Sequence, residues 1–171
     1  MTLQEKLQAN TSALFNSIDS IAQSQAQFKP SSTSWSILEC VEHVFLVNVS
    51  VSKNITILAP EKIENDKTEL FGEGKLNHLL VNKRDAFKVI APEFASPKGK
   101  FITIEDAKQN ITSIINEITN YILTHPIEQE THSIKHFRLG EMTKVDWIHF
   151  LISHTNRHIL QIEEVKKLGK A

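Results

Sequence analysis

Apolar residues recur along four stretches of the chain at steps of three and four, the period of a helix that buries one face. From Thr2 to about Gln25 the stripe is Leu3, Leu7, Leu14, Ile18 and Ile21. Phe28-Lys29-Pro30 and the serine-rich stretch Ser31 to Ser34 then read as a loop. A second helix is predicted from near Trp35, where Ser36 and Glu39 have the spacing of a capping box. Cys40, Val44, Val47, Val51, Ile55 and Leu58 form one apolar stripe on it, and Ile37, Val41, Phe45 and Val49 a second. Two apolar sides place this helix at the centre of the fold, ending at Ala59-Pro60. A third helix runs from about Ile104 to Leu123 on Ala107, Ile111, Ile114, Ile118 and Tyr121, and His125-Pro126 stops it. Thr143 and Asp146 repeat the capping pattern and open a last helix to about Leu168, striped by Trp147, Leu151, Ile162 and Val165. Lys166, Lys167 and Lys170 lie at its C-terminal end, where the helix dipole favours positive charge.

Two stretches lack such a period. Between Glu61 and Phe101, Asn65-Asp66-Lys67, Gly72-Glu73-Gly74 and Ser96-Pro97-Lys98-Gly99 read as turns. Within it, Lys75 to Ile90 is predicted as a further helical piece carrying Leu76, Leu79, Leu80 and Phe87. Ile127 to Met142 reads as a loop that turns at Gly140. Four amphipathic helices bury one another most simply as an all-α four-helix bundle, here with a long connection between helices two and three. The 171 residues suffice for one domain, taken as 1–171. Five glycines and five prolines are too few for a fold of many strands and tight turns.

Charge narrows the partners. Nineteen Lys and Arg against twenty Asp and Glu give a formal net charge of −1. That balance argues against a chain that coats nucleic acid or an anionic membrane, since both need a basic surplus. Apolar runs such as Val44-Phe45-Leu46-Val47 fall far short of the ~18 residues of a membrane span. The single cysteine, Cys40, excludes an internal disulfide and a zinc finger. A soluble, cytoplasmic protein acting on a small molecule is expected, and an exposed bundle face leaves homodimerisation open.

Histidines carry the candidate chemistry. Along the last helix, Trp147, Leu151, His154, His158, Ile162 and Val165 follow one another at steps of three and four. His154 and His158 therefore point into the bundle, about 6 Å apart along the axis, with ring nitrogens able to converge on one ion. His43 lies on the inward stripe of the second helix, between Cys40 and Val47. Three imidazoles from two helices leave coordination positions open to water or substrate, as in catalytic rather than structural sites. The competing reading makes each a hydrogen-bonded core histidine. The residue after His154 is Thr155, not glutamate, so the zinc-protease helix motif is not met. His132 and His136 fall in the aperiodic segment, as loop residues near the mouth of the site. His149 points elsewhere on the last helix, and His78 and His125 read as surface residues. Cys40 reads as small-residue packing rather than a nucleophile. Glu39 reads as a helix-start capping residue, with orientation of a ligand imidazole as its alternative.

Two segments carry a family resemblance. Trp35-Ser36-Ile37-Leu38-Glu39-Cys40-Val41-Glu42-His43-Val44 resembles the signature that opens the second helix of the DinB/YfiT-like superfamily. The last helix from Asp146 to His158 resembles that family's HxxxH segment, and Phe137 to Thr143 the loop leading into it. The resemblance implies a four-helix bundle that binds a divalent metal, commonly zinc or nickel, through His43, His154 and His158. It also implies relatives that are bacillithiol- or mycothiol-dependent S-transferases, a maleylpyruvate isomerase, and proteins labelled metal-dependent hydrolases. The family name refers to induction by DNA damage and does not imply DNA binding.

The expected function is thus a metal-dependent transferase joining a low-molecular-weight thiol to a small electrophile. The alternatives are a hydrolase using metal-bound water and a non-enzymatic, stress-related binding bundle. Imidazole ligands suit zinc, nickel, copper and iron alike.

Overall fold

Four long helices dominate the computed structural model, which describes residues 1–56, 63–86 and 90–169. They are α1 (Leu3–Ser17), α3 (Ile37–Thr56), α5 (Ile104–Thr124) and α6 (Lys144–Leu168). Short α2 (Gln23–Gln27) and α4 (Gly72–Asn77) lie in the connections. In the principal contacts α1 and α3 each pack against both α5 and α6. The four-helix bundle read from the stripes is therefore what forms, and consecutive helices α1 and α3 occupy diagonal corners of it. The apolar stripes supply the core: Leu7, Leu14, Ile37, Val44, Val51, Ile111, Ile118, Leu151 and Ile162 are all fully buried.

Local chemistry explains the helix ends. Ser36 and Glu39 form the expected capping box: Ser36 N donates to Glu39 Oε2 at 2.8 Å, and Glu39 N to Ser36 Oγ at 3.2 Å. Thr143 and Asp146 do the same at the start of α6. The first helix stops earlier than Gln25. It ends at Ser17, and Ser20 turns the chain with φ 55°, a left-handed value costly for a residue with a Cβ. The chain re-enters helix at α2, and Ile18 stays in the core. Leu58, Ala59-Pro60, Phe87 and Lys170, which the sequence reading used, lie outside the described residues.

Two further expectations are corrected. Residues 127–142 are not a plain loop, because β2 (His132–His136) and β3 (Gly140–Thr143) form an antiparallel hairpin in the register Ile134↔Met142 and His136↔Gly140. β1 (Ile63–Glu64) joins the other edge of β2, giving a small sheet of order β1-β2-β3. The inward positions of β2 are polar, Ser133 and His136, so no apolar alternation marks the strand. Gly140 does make the expected turn, at φ 86°.

Gly72-Glu73-Gly74 likewise begins α4 instead of making a turn, and the helix continues as a π-helical turn over His78–Asn82. The proposed helix to Ile90 is thus shorter and starts earlier. Its start is set from a distance. Asp146, fully buried, accepts the backbone N–H groups of Leu70, Phe71 and Gly72 at 2.8–3.0 Å. The same carboxylate accepts Thr143 N at 3.1 Å, while the Thr143 hydroxyl donates to Thr68 O at 2.7 Å. One side chain therefore caps two helices, and glycines that punctuate other chains are tolerated inside this one.

Replacing Asp146 with alanine strands these donors, and a buried donor left without a partner costs about 1–3 kcal/mol. Asp146→Ala is expected to lower unfolding free energy by about 3 kcal/mol or more in urea titrations, and Asp146→Asn by about half as much. Equal stability of both variants and the parent would show that water replaces the carboxylate without loss.

Candidate metal centre

α3 and α6 are adjacent along their length, and this adjacency brings His43 to His154 and His158. All three are buried, and one ligand nitrogen from each lies within 4.8 Å of the others. His43 Nε2 is 3.1 Å from His154 Nε2, and His158 Nε2 is 3.2 Å from the same atom. Two nitrogens on a tetrahedral ion with bonds of ~2.0–2.1 Å sit about 3.3 Å apart, so these spacings fit a shared cation.

The outer ring nitrogens fix the tautomers. His43 Nδ1 is 2.6 Å from the carbonyl oxygen of Ala95, which can only accept, so the proton lies on Nδ1 and Nε2 presents a lone pair. His158 Nδ1 meets Gln161 Oε1 at 2.9 Å with the same consequence. Both lone pairs face His154 Nε2, which can supply at most one proton and so satisfy only one of them. His154 Nδ1 is buried with no hydrogen-bond partner among the described residues. A cation among the three Nε2 atoms resolves this shortage of donors. The donor set, neutral nitrogens with orienting outer contacts, is one that zinc, nickel and other transition ions accept.

Burial also keeps the rings neutral. It is the largest cause of a lowered pKa at each, with His154 and His158 well below the ordinary histidine value and repelled further by the neighbouring triad rings. The hydrogen bond to Ala95 partly offsets the effect at His43.

The triad lies on the wall of a cavity of about 930 Å³. Trp35 packs over it, its ring centroid 4.8 Å from that of His43 and 6.3 Å from that of His158. Trp147, Phe150, Phe94 and Phe137 continue the apolar wall, and Arg157, which donates to Leu80 O at 3.0 Å, also lines the cavity.

The remaining sequence candidates separate clearly. Cys40 is buried and its thiol is pushed up to about 12, mainly by desolvation, which suits packing and not nucleophilic attack. Glu39 caps α3 and pairs with Lys29 at 2.7 Å, so it does not orient His43. That task falls to Ala95, which no sequence signal marks. Glu42, not singled out by the sequence, accepts the N–H groups of Lys98, Gly99 and Lys100 at 2.7–3.1 Å and holds the chain just beyond Ala95. Gln161, three residues after His158 on one helix face, could have been found by spacing. His136 is buried in β2 and lines the cavity; His132 lies on the same strand and does not line it. His149 meets Glu69 at 3.1 Å, away from the triad, while His78 and His125 are exposed.

A sequence model of the DinB superfamily matches residues 5–162. The chain belongs to this superfamily. Among relatives of this DinB chain, the Bacillus subtilis (strain 168) protein YuaE is 24% identical over 153 residues, 90% of each chain. In fold, the chain is similar to the crystal structure of TT2238, a four-helix bundle protein, with a TM-score of 0.60 over 95% of this chain and 96% of that one. At 14% identity that likeness speaks for the bundle alone. No described helix of this DinB protein is long and apolar enough to cross a membrane.

The neutral rings set a pH dependence. In the unfolded chain they protonate near pH ~6.5, whereas the folded protein holds them below that value and His136 at about 4. As pH falls below ~6.5 the unfolded state binds protons that the folded state refuses, so stability falls; above that pH these groups contribute no slope. Urea midpoints of metal-free protein at about pH 7.5, 6.5 and 5.5 are expected to stay level and then drop. A midpoint that rises on acidification would mean the folded state holds charged imidazoles.

Proposed function

We propose that this protein is a divalent-metal-dependent enzyme, with His43, His154 and His158 as ligands, that transfers a low-molecular-weight thiol to a small electrophile. The observation that carries the reading is the convergence of three neutral Nε2 atoms on the wall of a cavity sized for a small molecule. A bound divalent cation supplies one thing here, stabilisation of thiolate over thiol at neutral pH. The chain supplies the rest. Ala95 and Gln161 hold His43 and His158 with their protons on the outer nitrogens, so that the inner lone pairs stay available. The Trp35, Trp147 and Phe150 walls exclude water and give the electrophile an apolar seat.

Hydrolysis is the weaker reading because it calls for a base near the attacking water. Among the described residues the cavity carboxylates are Asp85 and Glu164, and Glu164 is engaged by Arg84. Neither hydrogen-bonds to the triad, whose outer contacts are Ala95 and Gln161. Thiol transfer needs no such base once thiolate has formed.

Purified protein reconstituted with zinc or nickel is expected to hold one ion per chain and to conjugate a small thiol to chlorodinitrobenzene. His43→Ala is expected to lower that rate by at least about tenfold, and His154→Ala/His158→Ala to abolish the stoichiometric ion. Undiminished metal binding in the double variant would place the ligands elsewhere. Thiol-independent ester cleavage that vanishes with the metal would favour the hydrolase.

A further inference from the structure

We propose that His136 is a substrate-binding residue, a fixed Nε2–H donor on the cavity wall for an anionic oxygen of a small molecule with an apolar body. The inference rests on the reading that this cavity holds the substrate. It starts from the orientation of one ring. His136 Nδ1 accepts two backbone N–H groups, those of Arg138 and Leu139, each at 3.1 Å. A nitrogen that accepts carries no proton, so in the neutral ring the proton is on Nε2. Burial holds this ring neutral, with its pKa near 4. Among the described residues Nε2 has no hydrogen-bond partner, and it is not one of the buried orphan atoms, while the residue itself lines the cavity. Trp147 and Phe150 flank the ring, with centroids 5.3 and 4.9 Å away, and prevent it from turning. A donor fixed on three sides and open on the fourth is prepared for a ligand acceptor.

Charge around the cavity sets the sign of that acceptor. Among the described lining residues Arg84, Lys135, Arg138 and Arg157 outnumber Asp85 and Glu164, and although Arg84 pairs with Glu164 and Arg157 donates to Leu80 O, the formal charge of the lining is positive in a chain whose net charge is −1. Apolar aromatic walls beside a cationic surplus favour an organic anion over a neutral or cationic molecule.

The two nitrogens of His136 can be tested apart. Asparagine places its oxygen near the Nδ1 position and can keep the bonds from Arg138 and Leu139, while losing the Nε2 donor. Glutamine places an N–H near Nε2 and loses the Nδ1 acceptor. The probe is phenylacetate, titrated by calorimetry into zinc-loaded protein and into chelator-treated protein. His136→Asn is expected to weaken phenylacetate binding about tenfold in both forms, and His136→Gln by less than about threefold. Thermal stability is expected to show the reverse order, with glutamine the less stable variant. Nitrogen-15 NMR of the parent is expected to find His136 protonated on Nε2. An Nδ1-protonated ring, equal losses of affinity in both variants, no loss in either, or no phenylacetate binding by the parent would each overturn the proposal. Dependence of affinity on zinc reports on the triad, and the asparagine–glutamine split reports on His136, so the two readings fail separately.

Discussion

Imidazoles buried in an apolar bundle cost least when they are neutral and their polar edges are met, and that constraint organises this molecule. A charged ring would face the full desolvation cost, and an unmet nitrogen costs about as much as a lost hydrogen bond. The fold meets the outer edges of His43 and His158 with Ala95 and Gln161, and turns all three inner edges towards one another. His154 Nδ1 remains unmet among the described residues. The helix packing follows the same logic: α3 and α6 must be neighbours, and the diagonal placement of α1 and α3 allows it.

The bundle and the triad were legible in the sequence because both follow the helical period. His43 shares its inward stripe with Cys40 and Val47, and His154 and His158 share theirs with Leu151 and Ile162, so their direction could be read from their neighbours. What was illegible depends on long-range hydrogen bonding. The start of α4 is decided by Asp146, more than seventy residues later, and Gly72-Glu73-Gly74 alone cannot show this. The orienting group for His43 is a backbone carbonyl, which carries no residue signature.

The hairpin failed to announce itself for a different reason. The buried positions of β2 hold Ser133 and His136, polar groups that make sense only beside their partners. Ser133 meets Glu141 at 2.8 Å, and His136 meets the turn backbone. A strand that places histidine inward breaks the alternation rule where the wall of the cavity needs a polar edge.

Adjacent residues of α3 grip one connection at two points: His43 holds Ala95, and Glu42 holds residues 98–100. Asp146 holds the same connection at residues 70–72. The chain between these clamps, including Arg84, Ile90 and Phe94, builds one side of the cavity without supplying a triad residue. Insertions or deletions there would reshape the cavity while the clamps kept the imidazoles in register. One part of the cavity wall can thus be rebuilt, by engineering or by evolution, within about twenty residues of one connection while the three imidazoles and the walls on α3, α6 and β2 stay as they are.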